Sequence, residues 1–136
     1  MVIAVDFDGT IVKHVYPMIG EQIGRSVEIL KLFKEKFGCQ IILWTCREVG
    51  CGLEEAVAWC LERGLEFDAI NANASPVEVL AAHKILADIY IDDRCFERFL
   101  CGRMGDMTAE EWEFIADRTK RLCLASETQE AADVVR

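Results

Sequence analysis

The sequence predicts a doubly wound, three-layer α/β domain, with a parallel sheet between layers of helix. Short apolar runs that stop at polar residues alternate with segments of helical period, in the order strand, helix, strand, helix, strand. No linker, repeat or low-complexity segment interrupts the 136 residues, so 1–136 is expected to form one domain. A chain of this size buries roughly two thirds of its unfolded surface and needs no disulfide or metal to fold.

Val2-Ile3-Ala4-Val5 is continuously apolar and halts at Asp6, as expected of a strand covered on both faces. Residues 11–25 lack a clean period and contain Pro17, Gly20 and Gly24, which predicts a short flap loop. A helix is expected over Ser26 to Phe37, with Val27, Leu30, Phe33 and Phe37 on one face and Gly38 just past its end. Cys39 to Trp44 reads as the second strand, halting at Thr45, and a loop with two glycines follows from Cys46 to Gly52. Leu53, Ala56, Val57, Cys60 and Leu61 form a full helical stripe that Gly64 ends. Phe67 to Asn71 is a third strand, and Ser75-Pro76 can open a short helix. Ile85 to Ile91 is a fourth strand, stopping at Asp92 and Asp93. Thr108-Ala109-Glu110-Glu111 is a capping box before a last helix that shows Trp112, Ile115, Thr119 and Leu122 on one face. The polar tail, about 127–136, is expected to fray.

Hydrophobic residues make up 52% of the chain, which excludes disorder, and no apolar run approaches the ~18 residues of a membrane span. The net charge of −9 disfavours nucleic acid as a partner, because binding a polyanion normally requires a basic face. The seven cysteines are odd in number, show no C-x-x-C pair and follow no export signal. Reduced thiols in a cytoplasmic protein are therefore expected, several of them buried as small hydrophobes.

Three apolar strands end in Asp6 and Asp8, in Thr45, and in Asp92 and Asp93. The carboxyl ends of parallel strands line one edge of a sheet, where ligands bind, so these residues are expected to converge. Carboxylates packed together repel unless a cation compensates, and all-oxygen ligands suit a hard ion such as Mg²⁺. Asp6 and Asp8, separated by Phe7 and followed by Gly9, can divide labour between nucleophilic attack and proton transfer. An Asp-Gly pair alone is equally a turn, but a turn does not explain the other two strand ends. Arg47, in the loop after Thr45, is a candidate phosphate contact or a solvated cation. Asn71 and Asn73 are expected on the same edge, as turn residues or substrate contacts, and His14, His83 and Cys46 as ordinary loop residues.

Asp6-Phe7-Asp8-Gly9-Thr10 after an apolar strand resembles the first motif of the haloacid dehalogenase-like phosphohydrolases. Thr45 after Ile41-Ile42-Leu43-Trp44 is similar to their second motif, Lys84 is a candidate for the third, and Asp92-Asp93 after Ile89-Tyr90-Ile91 is similar to the fourth. The likeness runs from Val2 to about Arg94 and is closest to small, capless bacterial members. It implies a Rossmann-like fold without a separate cap domain, since neither insertion point holds enough residues for one. It also implies phosphatase chemistry: Asp6 becomes an aspartyl phosphate, Asp8 serves as general acid and base, and Thr45 and Lys84 bind the phosphoryl oxygens. Mg²⁺ would be held by Asp6, by the backbone carbonyl of Asp8 and by Asp92, with Asp93 as a ligand through water or an orienting group. The open site implies either a phosphate on a larger molecule or a cover borrowed from another subunit. With the acidic charge, a small phosphorylated molecule is the expected substrate and no membrane partner is expected. Val15, Tyr16, Met18 and Ile19 make the flap apolar, which fits a homo-oligomer contact or a substrate lid.

Two other classes compete. A receiver-like signalling domain also uses acids, Mg²⁺, a threonine and a lysine on a parallel sheet, but it places its adjacent acid pair after the first strand. A non-catalytic phosphatase-like scaffold would have little reason to keep Asp6, Asp8, Thr45 and the acid pair together.

Overall fold

The computed structural model describes residues 1–74 and 81–135. The order is β1 (Val2–Val5), α1 (Ser26–Phe37), β2 (Gln40–Leu43), α2 (Leu53–Glu62), β3 (Ala69–Ile70), β4 (Ile89–Ile91), α3 (Phe96–Leu100) and α4 (Ala109–Val135). The strands form one four-stranded sheet in the order β3-β2-β1-β4, and every pairing is parallel. The expected α/β class is borne out at that level. The Ser75-Pro76 helix start lies outside the described residues.

Side chains alternate across a strand, so the two faces of the sheet are separate problems. Ile3, Val5, Ile41 and Leu43 enter one large core with Val27, Leu30 and Phe33 of α1, Ala56 and Cys60 of α2, and Trp112 of α4. Ala4 and Ile42, on the other face, meet Ile85, with Ala69, Ala74 and Ala87 around them. Small residues there allow close approach, and among the described residues the cover is turns and irregular chain rather than helix. This explains why β4 is shorter than the expected Ile85 to Ile91. Ile85 turns onto the sheet face, and Tyr90 Oη donates to its carbonyl at 2.6 Å while accepting from the Ala87 N–H at 3.2 Å.

The flap at 11–25 folds back on itself. Lys13 N–H donates to the Glu21 carbonyl at 2.8 Å and Ile23 N–H to the Ile11 carbonyl at 2.9 Å. The capping box forms as its sequence predicts: Glu111 N–H donates to Thr108 Oγ1 and Thr108 N–H to Glu111 Oε1, each at 3.2 Å. Beyond it, α4 departs from expectation twice. Its buried stripe is Trp112, Thr119 and Cys123, while Leu122 is exposed. The helix also runs 27 residues to Val135, through the segment expected to fray. Ala, Glu and Gln dominate that stretch, no glycine or proline stops it, and such residues sustain a helix by intrinsic propensity. The seven cysteines are free; Cys39, Cys60 and Cys123 are buried, and burial pushes the Cys39 and Cys60 thiols up to about 12.

Trp112 is fully buried, and its indole N–H donates to the Thr10 carbonyl at 2.8 Å. It therefore fixes α4 to the turn that follows β1. Trp112→Ala should cost about 3–5 kcal/mol by urea denaturation, through lost packing and an orphaned carbonyl. Removal of residues 127–136, whose described side chains are exposed, should shift stability by only about 0.5 kcal/mol.

Candidate metal and phosphate site

Register assembles the site. Val5 of β1 lies opposite Leu43 of β2 and Ile91 of β4, Trp44 N–H donates to the Val5 carbonyl at 2.8 Å, and Asp6 N–H donates to the Ile91 carbonyl at 3.0 Å. The residues that follow these strands leave the sheet at one edge. In the order β3-β2-β1-β4 the winding reverses between β1 and β4, the switch point at which open parallel sheets bind ligands. Asp6, Asp92 and Asp93 flank that point and present carboxylate oxygens all within 4.8 Å of one another.

Thr10 ties the cluster together. Its hydroxyl donates to Asp6 Oδ2 at 3.0 Å and accepts from Asp93 N–H at 3.0 Å. Asp92 Oδ1 accepts from Arg94 N–H at 2.8 Å. Gly9 sits against the cluster with φ +84°, and a Cβ there would lie 2.6 Å from Asp93 Oδ2. Both the backbone conformation and the close approach require glycine. Burial, then the charge of Asp92 and, more weakly, of Asp93, push the Asp6 carboxyl up to about 7, and the Phe7 N–H and Thr10 hydroxyl offset this only in part. Asp93 is raised as well, burial being the largest cause. A divalent cation would remove both penalties, and a set of three carboxylates matches a hard, oxygen-seeking ion. The donor set therefore fits Mg²⁺.

Asp8 stands apart from the cluster. Both of its oxygens are held by Arg47, Nε to Oδ2 at 2.7 Å and Nη2 to Oδ1 at 2.8 Å. The remaining Arg47 donors reach the carbonyls of Met18 at 2.9 Å, Gly52 at 3.2 Å and Pro17 at 3.3 Å. All five N–H groups of a guanidinium are thus engaged inside the protein. The group is fully buried and lies 5.3 Å from the Phe7 ring centroid and 5.1 Å from that of Tyr16. Arg47 here is a clamp joining Asp8, the flap and the start of α2, and a phosphoryl contact would displace one of these partners.

Thr45 is half-buried. Its N–H donates to Asn71 Oδ1 at 2.8 Å, and its hydroxyl accepts from Arg47 N–H at 3.1 Å, so the hydroxyl proton remains available to a ligand. Asn71, at the left-handed φ of 49°, also donates to the Arg47 carbonyl at 3.3 Å; it is a turn residue that braces this loop. Asn73 is buried and holds the chain before β4, donating to the Lys84 carbonyl at 2.9 Å and accepting from Leu86 N–H at 2.7 Å. Lys84 is exposed, and its backbone is thereby tethered to the loop after β3.

Sequence reasoning missed a second buried guanidinium. Arg98 donates to Glu111 at 2.7 and 3.1 Å, to the Gly105 carbonyl at 2.9 Å and the Asp106 carbonyl at 3.0 Å, and to the Asp93 carbonyl. Asp106 in turn accepts from His14 N–H at 3.2 Å. Only the capping box hinted at this, since Glu111 both caps α4 and neutralises Arg98.

Two outcomes follow. Without metal, the raised Asp6 carboxyl favours the folded state most below about 3.8, and this contribution is lost as pH rises through about 7. Arg98 holds Glu111 below its usual 4.5, so that pair stabilises above 4.5 and weakens as pH falls. Thermal melts in chelator should therefore decline from pH 5 to 8, and Asp6→Asn should flatten the decline. Separately, Arg47→Ala leaves the Asp8 charge buried and unpaired and should cost about 3–5 kcal/mol. Asp8→Ala in the same chain should restore part of that loss in a denaturation double-mutant cycle.

No family model matches the chain, and no curated protein matches it. Among the solved structures, a conserved protein coded by a locus of Bacteroides thetaiotaomicron is similar, with a TM-score of 0.72 and 44% sequence identity. The alignment covers 89% of this chain and 90% of the other. With that identity across nearly all of both chains, this chain belongs to the family of that conserved Bacteroides protein.

Proposed function

We propose that the chain is a Mg²⁺-dependent phosphomonoester hydrolase of the haloacid dehalogenase-like kind, working through an aspartyl phosphate on Asp6. The observation that carries this reading is the gathering of Asp6, Asp92 and Asp93 within 4.8 Å at the switch point of a parallel sheet, with Asp8 two residues beyond Asp6. The reading includes a three-layer, doubly wound, Rossmann-like domain with no separate cap, acting in the cytoplasm on a small phosphorylated molecule. No described helix is long and apolar enough to cross a membrane.

Asp6, Asp92 and the Asp8 carbonyl would hold Mg²⁺, with Asp93 directly beside them. The ion would supply positive charge that offsets repulsion between the Asp6 carboxylate and an anionic phosphate. An Asp6 carboxylate oxygen attacks phosphorus, the ester P–O bond breaks, and the leaving oxygen takes the proton of Asp8. A water then gives its proton to Asp8 and attacks phosphorus, the acyl P–O bond breaks, and phosphate leaves with Asp6 restored as carboxylate. The Thr45 hydroxyl and the Lys84 ammonium contact the phosphoryl oxygens. Both Asp8 oxygens are held by the Arg47 fork, so the proton step requires one of them to leave Arg47 and carry the proton while the other keeps the carboxyl in place.

Release of phosphate from para-nitrophenyl phosphate, with Mg²⁺ and with excess chelator, tests the reading. Turnover should require the metal and vanish in Asp6→Asn. Asp8→Asn should cost about 10²–10⁴-fold with a poor leaving group and much less in the first step with a good one. Rapid-quench labelling should place phosphate on Asp6. Label on Asp8, Asp92 or a cysteine, or full activity in Asp6→Asn, would refute the mechanism.

A further inference from the structure

A cavity of about 710 Å³ adjoins the acidic cluster, and Asp93 lies in its lining with Arg94, Phe96, Phe99, Arg103 and Asp106. Chemistry at phosphorus accounts for Asp93 but not for the arginines or the phenylalanines. The rings of Phe96 and Phe99 stack at 6.2 Å with 23° between their planes, yet they remain 67% and 63% exposed. Among the described residues, no hydrogen bond or close ion pair engages the Arg94 guanidinium, whose charge acts only weakly on neighbouring Asp93. Arg103 comes only within 3.8 Å of Glu111, whose carboxylate is already paired with Arg98. In a chain of net charge −9, one cavity thus holds two under-used guanidiniums beside a stacked aromatic pair.

The backbone on two sides of the cavity is held. Arg98 is buried and bonds the Asp93 carbonyl on one side and the Gly105 and Asp106 carbonyls on the other. One buried ion pair therefore sets the spacing between the cluster and the loop that carries Arg103. A concave surface with apolar rings and a few charges is the usual form of a small-molecule site.

We propose that this cavity receives the leaving-group half of the substrate and selects an aromatic alcohol bearing a second anionic group. The ring lies against Phe96 and Phe99, and the anion meets Arg94 and Arg103, where guanidinium forks favour carboxylate or phosphate. The term leaving group rests on the phosphatase reading, and the test is built on binding so that the two can fail separately.

Calorimetric titration of the intact chain in Mg²⁺ buffer would compare 4-carboxybenzylphosphonate, benzylphosphonate and propylphosphonate, none of which is hydrolysed. The carboxylated ligand should bind about tenfold more tightly than benzylphosphonate, in keeping with one charge-assisted contact, and propylphosphonate should bind most weakly. Arg94→Gln with Arg103→Gln should collapse the difference between the first two ligands, and Phe96→Ser with Phe99→Ser the difference between the last two. Equal affinities, no binding of the carboxylated ligand, or a preference that survives the loss of both arginines would overturn the proposal. A dimer in sedimentation that dissociates in Phe96→Ser with no change in ligand affinity would assign the patch to a second copy and overturn it too. If the ligands bind in the stated order but para-nitrophenyl phosphate is not hydrolysed, the pocket stands and the phosphatase reading falls. Hydrolysis without that order gives the reverse.

Discussion

Three carboxylates that repel one another are held in one small space, and the rest of the molecule is arranged around that constraint. Parallel register between β1 and β4 places Asp6 beside Asp92 and Asp93. The Thr10 hydroxyl then bonds Asp6 and the Asp93 backbone together, and the Thr10 carbonyl takes the indole proton of Trp112. The large core and the cluster thus meet at one residue. Burial first, and the charges of Asp92 and Asp93 after it, raise the Asp6 carboxyl. Proteins retain such repulsion where a cation or a reaction makes use of it.

The strand ends were legible in the sequence because each apolar run stops abruptly at a polar residue, and in a parallel sheet that pattern alone predicts a shared edge. The α4 cap was legible because Thr108 and Glu111 have the spacing of a local motif, and local motifs form without tertiary help. Ile85 was misread as strand for the opposite reason. An apolar β-branched residue suits both a strand and the cover of a sheet face, and only the tertiary requirement of Ala4 and Ile42 decides between them. The tail of α4 continues the helix although its composition is polar, because several of its residues have high helix propensity.

Arginine was the residue type least readable in sequence. Arg47 and Arg98 look like surface cations in a chain of net charge −9, yet both are buried. A buried guanidinium must satisfy its donors together, and its partners follow no fixed spacing in the chain: Asp8 lies 39 residues from Arg47, whereas Glu111 and three carbonyls lie 5 to 13 residues from Arg98. No periodicity encodes such sets. Arg47 pairs with Asp8 in the turn after β1 and Arg98 bonds the Asp93 carbonyl in the turn after β4, so the two loops that deliver the clustered carboxylates each rest on a forked cation.

The acceptors that Arg47 uses on the flap are the carbonyls of Pro17 and Met18, not side chains. Its hold depends on where the main chain runs and is indifferent to most of what that chain displays. The exposed surfaces of Val15 and Met18 can therefore be exchanged for other chemistries while Asp8 keeps its place. A flap held in this way keeps its course whatever those two side chains are, and flap libraries at these positions are a natural starting point for engineering.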